Sequence, residues 1–395
     1  MHPRQLDNLK NVPVPAIRPF KIEVPDAVLA DLRERLARTR WPDQIPGTGW
    51  EYGTELGYLK ELCETWRTSY DWRKHEAALN RWPQFETRID GQRLHFVHAR
   101  SKHADAFPLV ITHGWPGSVV EFQKLLPLLV DPTAHGGEAR DAFHVVCPSL
   151  PGYGWSGPTH ERGWDPERIA KAELELMRRL GHSRYGAQGG DWGAIITSWI
   201  GTLDPAHCAG IHLNMLIAPP PPDAKPAALT PDEQQRLAQA AQFQGEGAGY
   251  QAIQGTKPQT LAYGLTDSPA GLAGWIVEKF RAWSDCQGDV ERVITRDELL
   301  TNLTTYWVTG TINSSTRLYY EMRQRAKLPF ADGRIEVPTG VAVFPKEVYN
   351  APRAWAERYY NVTHWSVFVA GGHFAALERP AELAADLRTF FRTLR

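Results

Sequence analysis

Gly189-Gly190-Asp191-Trp192-Gly193 is the stretch that decides how this chain is read. It has the small-x-nucleophile-x-small spacing of a nucleophile elbow. That strand-to-helix turn is so tight that only residues with little or no side chain fit its corners. Here an aspartate stands where serine stands in acyl-transfer sites. A serine hydroxyl takes an acyl group from an ester or amide. A carboxylate displaces a leaving group at a saturated carbon and becomes an alkyl ester itself. Water must then attack the aspartate's own carbonyl. Five residues recur by chance, so the rest of the machinery has to be found.

Around the elbow the chain alternates short apolar strands with helices. Leu109 to Thr112, Phe143 to Cys147, Tyr185 to Gln188 and Ile211 to Met215 are four- or five-residue apolar runs, each followed by glycine, proline or polar residues. This is the signature of a parallel sheet covered on both faces. Ala218 to Pro222, with four consecutive prolines, breaks it as a rigid extended link. Thr230-Pro231-Asp232-Glu233 is a capping box with proline at the first helical position, opening a helix to about Phe243. Helical patches follow at Ala270 to Trp283, Arg296 to Trp307 and Ser314 to Arg325. Strand character returns at Gly340 to Phe344 and Ser366 to Ala370, before a final helix from about Pro380 to Arg392. A parallel sheet interrupted by helices and then completed is a core with a cap.

The first hundred residues read as an α-rich preface. Pro25-Asp26 opens a helix with Val28, Leu32 and Leu36 at spacing four, ended by Pro42. A second periodic stretch runs from Leu59 to Leu79. Phe85 to Ile89 and Leu94 to His98, joined across Asp90-Gly91, form a hairpin. The expected division is an extension over 1–100, a core over 101–217 and 336–395, and a cap over 218–335.

Composition narrows the classes. Hydrophobic residues make up 42% and charged residues 23%, which suits a globular chain with a full core. A net charge of −1 argues against nucleic acid or an anionic membrane as partner. Cys63, Cys147, Cys208 and Cys286 form no CxxC pair and read as buried small hydrophobes in a reducing compartment. Met1 to Ala16 is polar and proline-rich, unlike a secretory signal, and no apolar run is long enough to span a bilayer. Fifteen tryptophans suit core packing and a bulky apolar pocket equally.

In an α/β-hydrolase arrangement the order along the chain is nucleophile, acid, histidine. Asp191 is followed by Glu347, three residues past the strand Gly340 to Phe344, and then by His373 in Gly371-Gly372-His373-Phe374. Glu347 would orient His373 and stabilise the imidazolium formed when water is deprotonated. The loop Thr112-His113-Gly114-Trp115-Pro116-Gly117 is placed to make an oxyanion hole, with the backbone N–H groups of Trp115 and Trp192 converging on Asp191. Trp115, Trp192 and Phe374 are expected to wall the substrate pocket. The leaving group stays open. A halide departs unaided, whereas an epoxide opens to an alkoxide that needs a proton donor. Tyrosine suits that task if it projects from the cap, and the candidates are Tyr250 and either Tyr319 or Tyr320.

Over nearly its whole length the chain resembles epoxide hydrolases of the microsomal and juvenile-hormone type. The resemblance rests on Ile17-Arg18-Pro19-Phe20-Lys21, Tyr70-Asp71-Trp72, His113-Gly114-Trp115-Pro116-Gly117-Ser118 and Pro148-Ser149-Leu150-Pro151-Gly152-Tyr153-Gly154. It continues through the elbow, Thr256-Lys257-Pro258, Asp267-Ser268-Pro269-Ala270-Gly271-Leu272-Ala273 and Tyr306-Trp307 with Thr309-Gly310-Thr311. Phe344-Pro345-Lys346-Glu347 and Gly371-Gly372-His373-Phe374-Ala375-Ala376 complete it.

The resemblance implies an α/β-hydrolase fold with an inserted helical cap and an N-terminal α-rich extension. It implies Asp191 as nucleophile, Glu347 as acid, His373 as general base, Tyr250 as first lid tyrosine and Tyr319 as second, with Tyr320 a near alternative. The partners it implies are an apolar epoxide and water. No metal or organic cofactor is called for, and the second copy of a homodimer is an open expectation. The membrane-anchoring helix that precedes this pattern in microsomal members has no counterpart here, so a soluble cytoplasmic enzyme of bacterial type is expected. The rival is a haloalkane dehalogenase, in which Trp115 and Trp192 would cradle a halide with their indole N–H groups. A second rival is a catalytically silent binding protein on the same fold.

Overall fold

The computed structural model describes residues 16–225, 229–325 and 327–395. Among the described residues nine strands form one sheet: β1 (Arg18–Phe20), β2 (Gln84–Ile89), β3 (Gln92–Ala99), β4 (Phe107–Thr112), β5 (Phe143–Pro148), β6 (Tyr185–Gly189), β7 (Cys208–Leu213), β8 (Ile335–Val343) and β9 (Tyr360–Val367). Their order is β1-β2-β3-β5-β4-β6-β7-β8-β9. From β5 to β9 every pairing is parallel. The pairs β1–β2, β2–β3 and β3–β5 are antiparallel, so the hairpin turning at Asp90-Gly91 extends the core sheet. Leu109, Val110, Ile111, Val145 and Val146 have no exposed surface. Apolar runs of this kind are what a sheet sealed on both faces demands.

The helices that precede the sheet's parallel part are α1 (Asp26–Ala37), α2 (Leu56–Thr68) and α3 (Trp72–Leu79). The periodic stretch from Leu59 to Leu79 is thus two helices. The Asp71 carboxylate accepts the Arg73 and Lys74 N–H groups and starts a new helix there. The faces of the sheet are covered by α4 (Leu125–Val130), α5 (Pro166–Arg179) and α6 (Trp192–Leu203).

Between β7 and β8 the chain makes α7 (Pro231–Gln242), α8 (Gly249–Thr256), α9 (Pro258–Asp267), α10 (Pro269–Trp283), α11 (Arg296–Thr309) and α12 (Ile312–Arg325). The capping box at Thr230 and Glu233 forms as read, and Thr295 with Glu298 makes another. α8 and α9, of eight and ten residues, are too short to carry a clear periodic apolar signal. Three helices close the chain: α13 (Arg353–Tyr359), α14 (Ala375–Glu378) and α15 (Pro380–Arg392).

Three strand boundaries move. The strand read at Gly340 to Phe344 begins earlier, as β8 over Ile335–Val343. The strand read at Ser366 to Ala370 lies earlier, at Tyr360–Val367, in register with β8 from Ile335↔Tyr360 to Val343↔Val367. As the sheet's edge, β9 is only partly buried, so its mixed Tyr-Asn-Val-Thr-His-Trp start carries no apolar run. The run read as a strand, Ser366 to Ala370, includes Val369, which is fully exposed. Likewise β7 ends at Leu213, and Asn214 turns under the elbow, its N–H donating to the Gly189 carbonyl. The four cysteines are buried and free, as small hydrophobes. Among the described residues no helix is long and apolar enough to cross a membrane.

Candidate active site

Asp191 sits between β6 and α6 with φ 52° and ψ −130°, a conformation that costs a non-glycine residue about 1–3 kcal/mol. Its neighbours leave no alternative. A Cβ on Gly193 would lie 2.7 Å from the Thr112 carbonyl carbon, and one on Gly189 would lie 2.7 Å from Thr197 Oγ1. A Cβ on Gly190 would reach 2.5 Å from Asn214 Nδ2. The three glycines let strand, helix and loop close around the aspartate.

The Trp115 N–H donates to Asp191 Oδ1 at 2.7 Å. No hydrogen bond joins the Trp192 N–H to that carboxylate, so the expected pair of donors is half met. Trp192 begins α6, and its N–H is one of the free donors of the helix N-terminus. On the other side, His373 Nε2 lies 3.4 Å from Asp191 Oδ2. His373 Nδ1 donates to Glu347 Oε1 at 2.5 Å. Both loops are braced: Lys346 N–H donates to the Gly371 carbonyl, and the His373 N–H donates to the Trp283 carbonyl at 2.9 Å. Burial opposes a charged imidazole here. The Glu347 charge and the hydrogen bonds to Asp191 and Glu347 outweigh it and hold His373 well above the ordinary histidine range. Asn214, just after β7, accepts at Oδ1 from Gln188 Nε2 at 2.8 Å.

Over this line lies an aromatic roof. Tyr250, from α8, stacks on Trp115 at 5.2 Å between ring centroids. Tyr319, from α12, meets Trp115 edge-on at 5.7 Å and Trp192 at 4.7 Å. The two tyrosine rings are 5.7 Å apart. Tyr319 is 8% exposed whereas Tyr320 is 36% exposed, and it is Tyr319 whose ring meets Trp115, Trp192 and Tyr250. Burial, then the nearby Asp191 charge, pushes the Tyr250 phenol up; Tyr319 moves the same way for burial, Tyr250 and Asp191. Both therefore keep their protons. The Tyr250 oxygen accepts from Gln251 Nε2 at 3.0 Å, leaving its own proton free. The Trp115 indole nitrogen is buried without a hydrogen-bond partner, and Tyr319 Oη and the Trp192 indole nitrogen approach each other without good hydrogen-bond geometry. A buried donor left unpartnered costs roughly 1–3 kcal/mol, so this cluster suits a polar ligand atom.

Phe374 departs from its expected role. Its ring is sealed in a stack with Phe280 at 4.2 Å and Trp283 at 6.2 Å, behind His373. Trp283 was not singled out from sequence, yet it meets His373 at 5.0 Å and Tyr250 at 5.3 Å. Its place at the end of α10 carries no signal until the cap is folded. Glu121 was also missed. Ser118-Val119-Val120-Glu121 has the spacing of a helix cap, and Ser118 Oγ does accept the Val120 N–H, which disguises the carboxyl.

A mostly parallel sheet, an elbow after one strand, and acid and histidine on loops after later strands define an α/β-hydrolase. Comparison with known proteins agrees. Residues 108–273 match the alpha/beta hydrolase fold family and residues 17–122 the epoxide hydrolase N terminus. The chain is 37% identical to epoxide hydrolase 1 of Sus scrofa, over 96% of this chain and 89% of that protein. It is 51% identical, over 96% of its length and 86% of the relative's, to a Stigmatella aurantiaca protein that bears an epoxide hydrolase name. The crystal structure of juvenile hormone epoxide hydrolase from Bombyx mori superposes with a TM-score of 0.90 at 33% identity, covering 100% of this chain and 97% of that one. The chain belongs to the epoxide hydrolase family, of the microsomal and juvenile-hormone type. The haloalkane dehalogenase alternative is not favoured.

Proposed function

We propose that the chain hydrolyses apolar epoxides to vicinal diols through an ester on Asp191. The supporting observation is the convergence of one carboxylate, one imidazole and two protonated phenols in a buried space. An Asp191 oxygen attacks one epoxide carbon and the ring C–O bond breaks. Tyr319 and Tyr250 hydrogen-bond the ring oxygen, and one of them gives it a proton. Alkylation removes the Asp191 charge that helped hold His373 protonated, so the imidazolium returns a proton to the tyrosinate and becomes a base. His373 then takes a proton from water, and the hydroxide bonds to Asp191 Cγ while the Trp115 N–H steadies the oxyanion. The Cγ–O(alkyl) bond breaks, the diol leaves with the carboxyl proton, and Asp191 is again a carboxylate beside an imidazolium. The buried indole N–H groups would also suit a halide, but halide departure gives the phenols nothing to protonate.

The test is a single turnover of a styrene-oxide-like epoxide in ¹⁸O water. Label is expected in the Asp191 peptide, and diol formed by Asp191→Ala at the wild-type rate would end the reading. Tyr319→Phe should slow ring opening at least about 100-fold, in the range of general acid catalysis. Tyr320→Phe should stay within about twofold, since its ring is exposed. The reverse pattern would overturn the choice of donor.

A further inference from the structure

A second compartment touches Asp191. It is a cavity of about 20 Å³ whose walls include Glu121, Gln188, Asp191, Asn214 and His373, and no residue of the helices between β7 and β8 lines it. One water needs roughly 10–15 Å³ and two to four polar partners, so this space admits a water and no epoxide. Its polar groups are left waiting. Gln188 is 2% exposed, and its Oε1 has no hydrogen-bond partner. The Glu121 carboxyl receives no hydrogen bond from any described side chain, though it feels the charges of both His373 and Asp191.

Glu121 reaches this position because residue 117 is glycine. A Cβ on Gly117 would fall on top of Glu121 Oε1 and lie 3.2 Å from its Cγ. Burial is the main force pushing the Glu121 carboxyl up, to about 8, with Asp191 adding to it and His373 opposing. The Ser118 backbone N–H offsets part of that cost, and no salt bridge or side-chain donor adds to it.

We propose that this chamber seats the hydrolytic water and that Glu121 is the residue that positions it, opposite His373 Nε2. This rests on the Asp191 ester reading and deepens it. A water there gives one proton to His373 Nε2. Its other hydrogen bond goes to Glu121 or to Gln188 Oε1, which leaves an oxygen lone pair facing Asp191 Cγ. The epoxide arrives from the tyrosine side and the water waits on the core side, so the two substrates do not compete for space. Alkylation neutralises Asp191 and frees His373 to take up the water's proton while Glu121 holds that water in place.

Glu121→Gln in the full chain separates the steps. With a styrene-oxide-like substrate, stopped-flow tryptophan fluorescence reads ester formation, and rapid quench with intact-protein mass reads the adduct's decay. Ester formation should stay within twofold of wild type, while ester hydrolysis falls at least tenfold and the adduct accumulates. Glu121→Asp, one methylene shorter, should recover part of the hydrolysis rate. Unchanged ester formation doubles as proof of folding. An adduct that forms normally and decays at the wild-type rate in Glu121→Gln overturns this proposal alone. Equal losses in both steps also overturn it, because a structural role would give them. If neither wild type nor His373→Gln ever carries an adduct, the ester reading falls and this proposal with it.

Discussion

Adding one methyl group at Gly114 should silence the enzyme without unfolding it. Gly114 lies on the loop after β4, and its backbone is outside the left-handed region, so alanine is conformationally acceptable there. The obstacle is Asp191. An alanine Cβ would sit 2.6 Å from Asp191 Cγ, and closer still to Cβ and Oδ1, where ordinary contact begins at 3.4 Å. The Asp191 side chain must therefore retreat by close to 1 Å. It then loses the 2.7 Å bond from the Trp115 N–H, a hydrogen bond to a charged group worth about 1.5–3 kcal/mol. The same movement spoils the line of attack, and a misplacement of about 1 Å costs on the order of 100-fold in rate. Ester formation should fall about 10³-fold. The fold bears only the overpacking, about 1–3 kcal/mol, which in a chain of this size lowers Tm by a few degrees. Stopped-flow fluorescence with an epoxide and a thermal melt measure both quantities. A Gly114→Ala enzyme that keeps more than a tenth of the wild-type ester-formation rate would refute the argument.

Two further substitutions test the electrostatics. Glu347→Gln keeps the hydrogen bond to His373 Nδ1 but removes the charge that does most to raise that imidazole. The His373 limb of the pH–rate profile should move down by at least about one unit, with a loss of roughly 10- to 100-fold in ester hydrolysis as a charge-assisted bond becomes neutral; an unmoved limb would count against the assignment. Glu173 is buried, accepts from Thr112 Oγ1 at 2.9 Å, and is pushed up to about 8 by burial. Its folded pKa exceeds the unfolded 4.5, so the stability it contributes is complete below pH 4.5 and is lost as pH rises to about 8. Glu173→Gln lacks this loss. Its unfolding free energy relative to wild type should rise by at most about 5 kcal/mol across that window in urea melts at successive pH, and a flat difference would show that Glu173 is not buried as a neutral acid.

How far the sequence could be read depended on how local the cause was. The elbow was legible because its glycines are required by contacts within a few residues and with the adjoining loop: Gly193 against Thr112, Gly189 against Thr197. The final helix was legible because Pro380 at its first turn and a strongly amphipathic run set its limits. His373 and Glu347 could be ordered along the chain because each follows a strand of the parallel sheet. β9 was misplaced because an edge strand needs no apolar run, and Val369, which suggested one, lies in solvent. Trp283 and Glu121 were invisible for another reason. Each acquires meaning only from partners far away in sequence, Trp283 from His373 and Glu121 from Asp191. Choosing Tyr319 over Tyr320 likewise needed the helix to be set against Trp115 and Trp192.

The site's charges explain why one aspartate can serve two opposite steps. Before attack, Asp191 must be anionic and unprotonated in a space largely closed to water. The neighbouring imidazolium and the Trp115 N–H stabilise that anion, while Glu121 at about 8 avoids adding a second negative charge. After attack the requirements reverse, because Asp191 is now an ester and has to be an electrophile. Alkylation itself makes the reversal. It deletes the Asp191 charge that helped hold His373 protonated, which frees His373 to lose its proton and act as a base. A neutral nucleophile such as serine could not drive this exchange, since its conversion to an ester removes no charge from its neighbours.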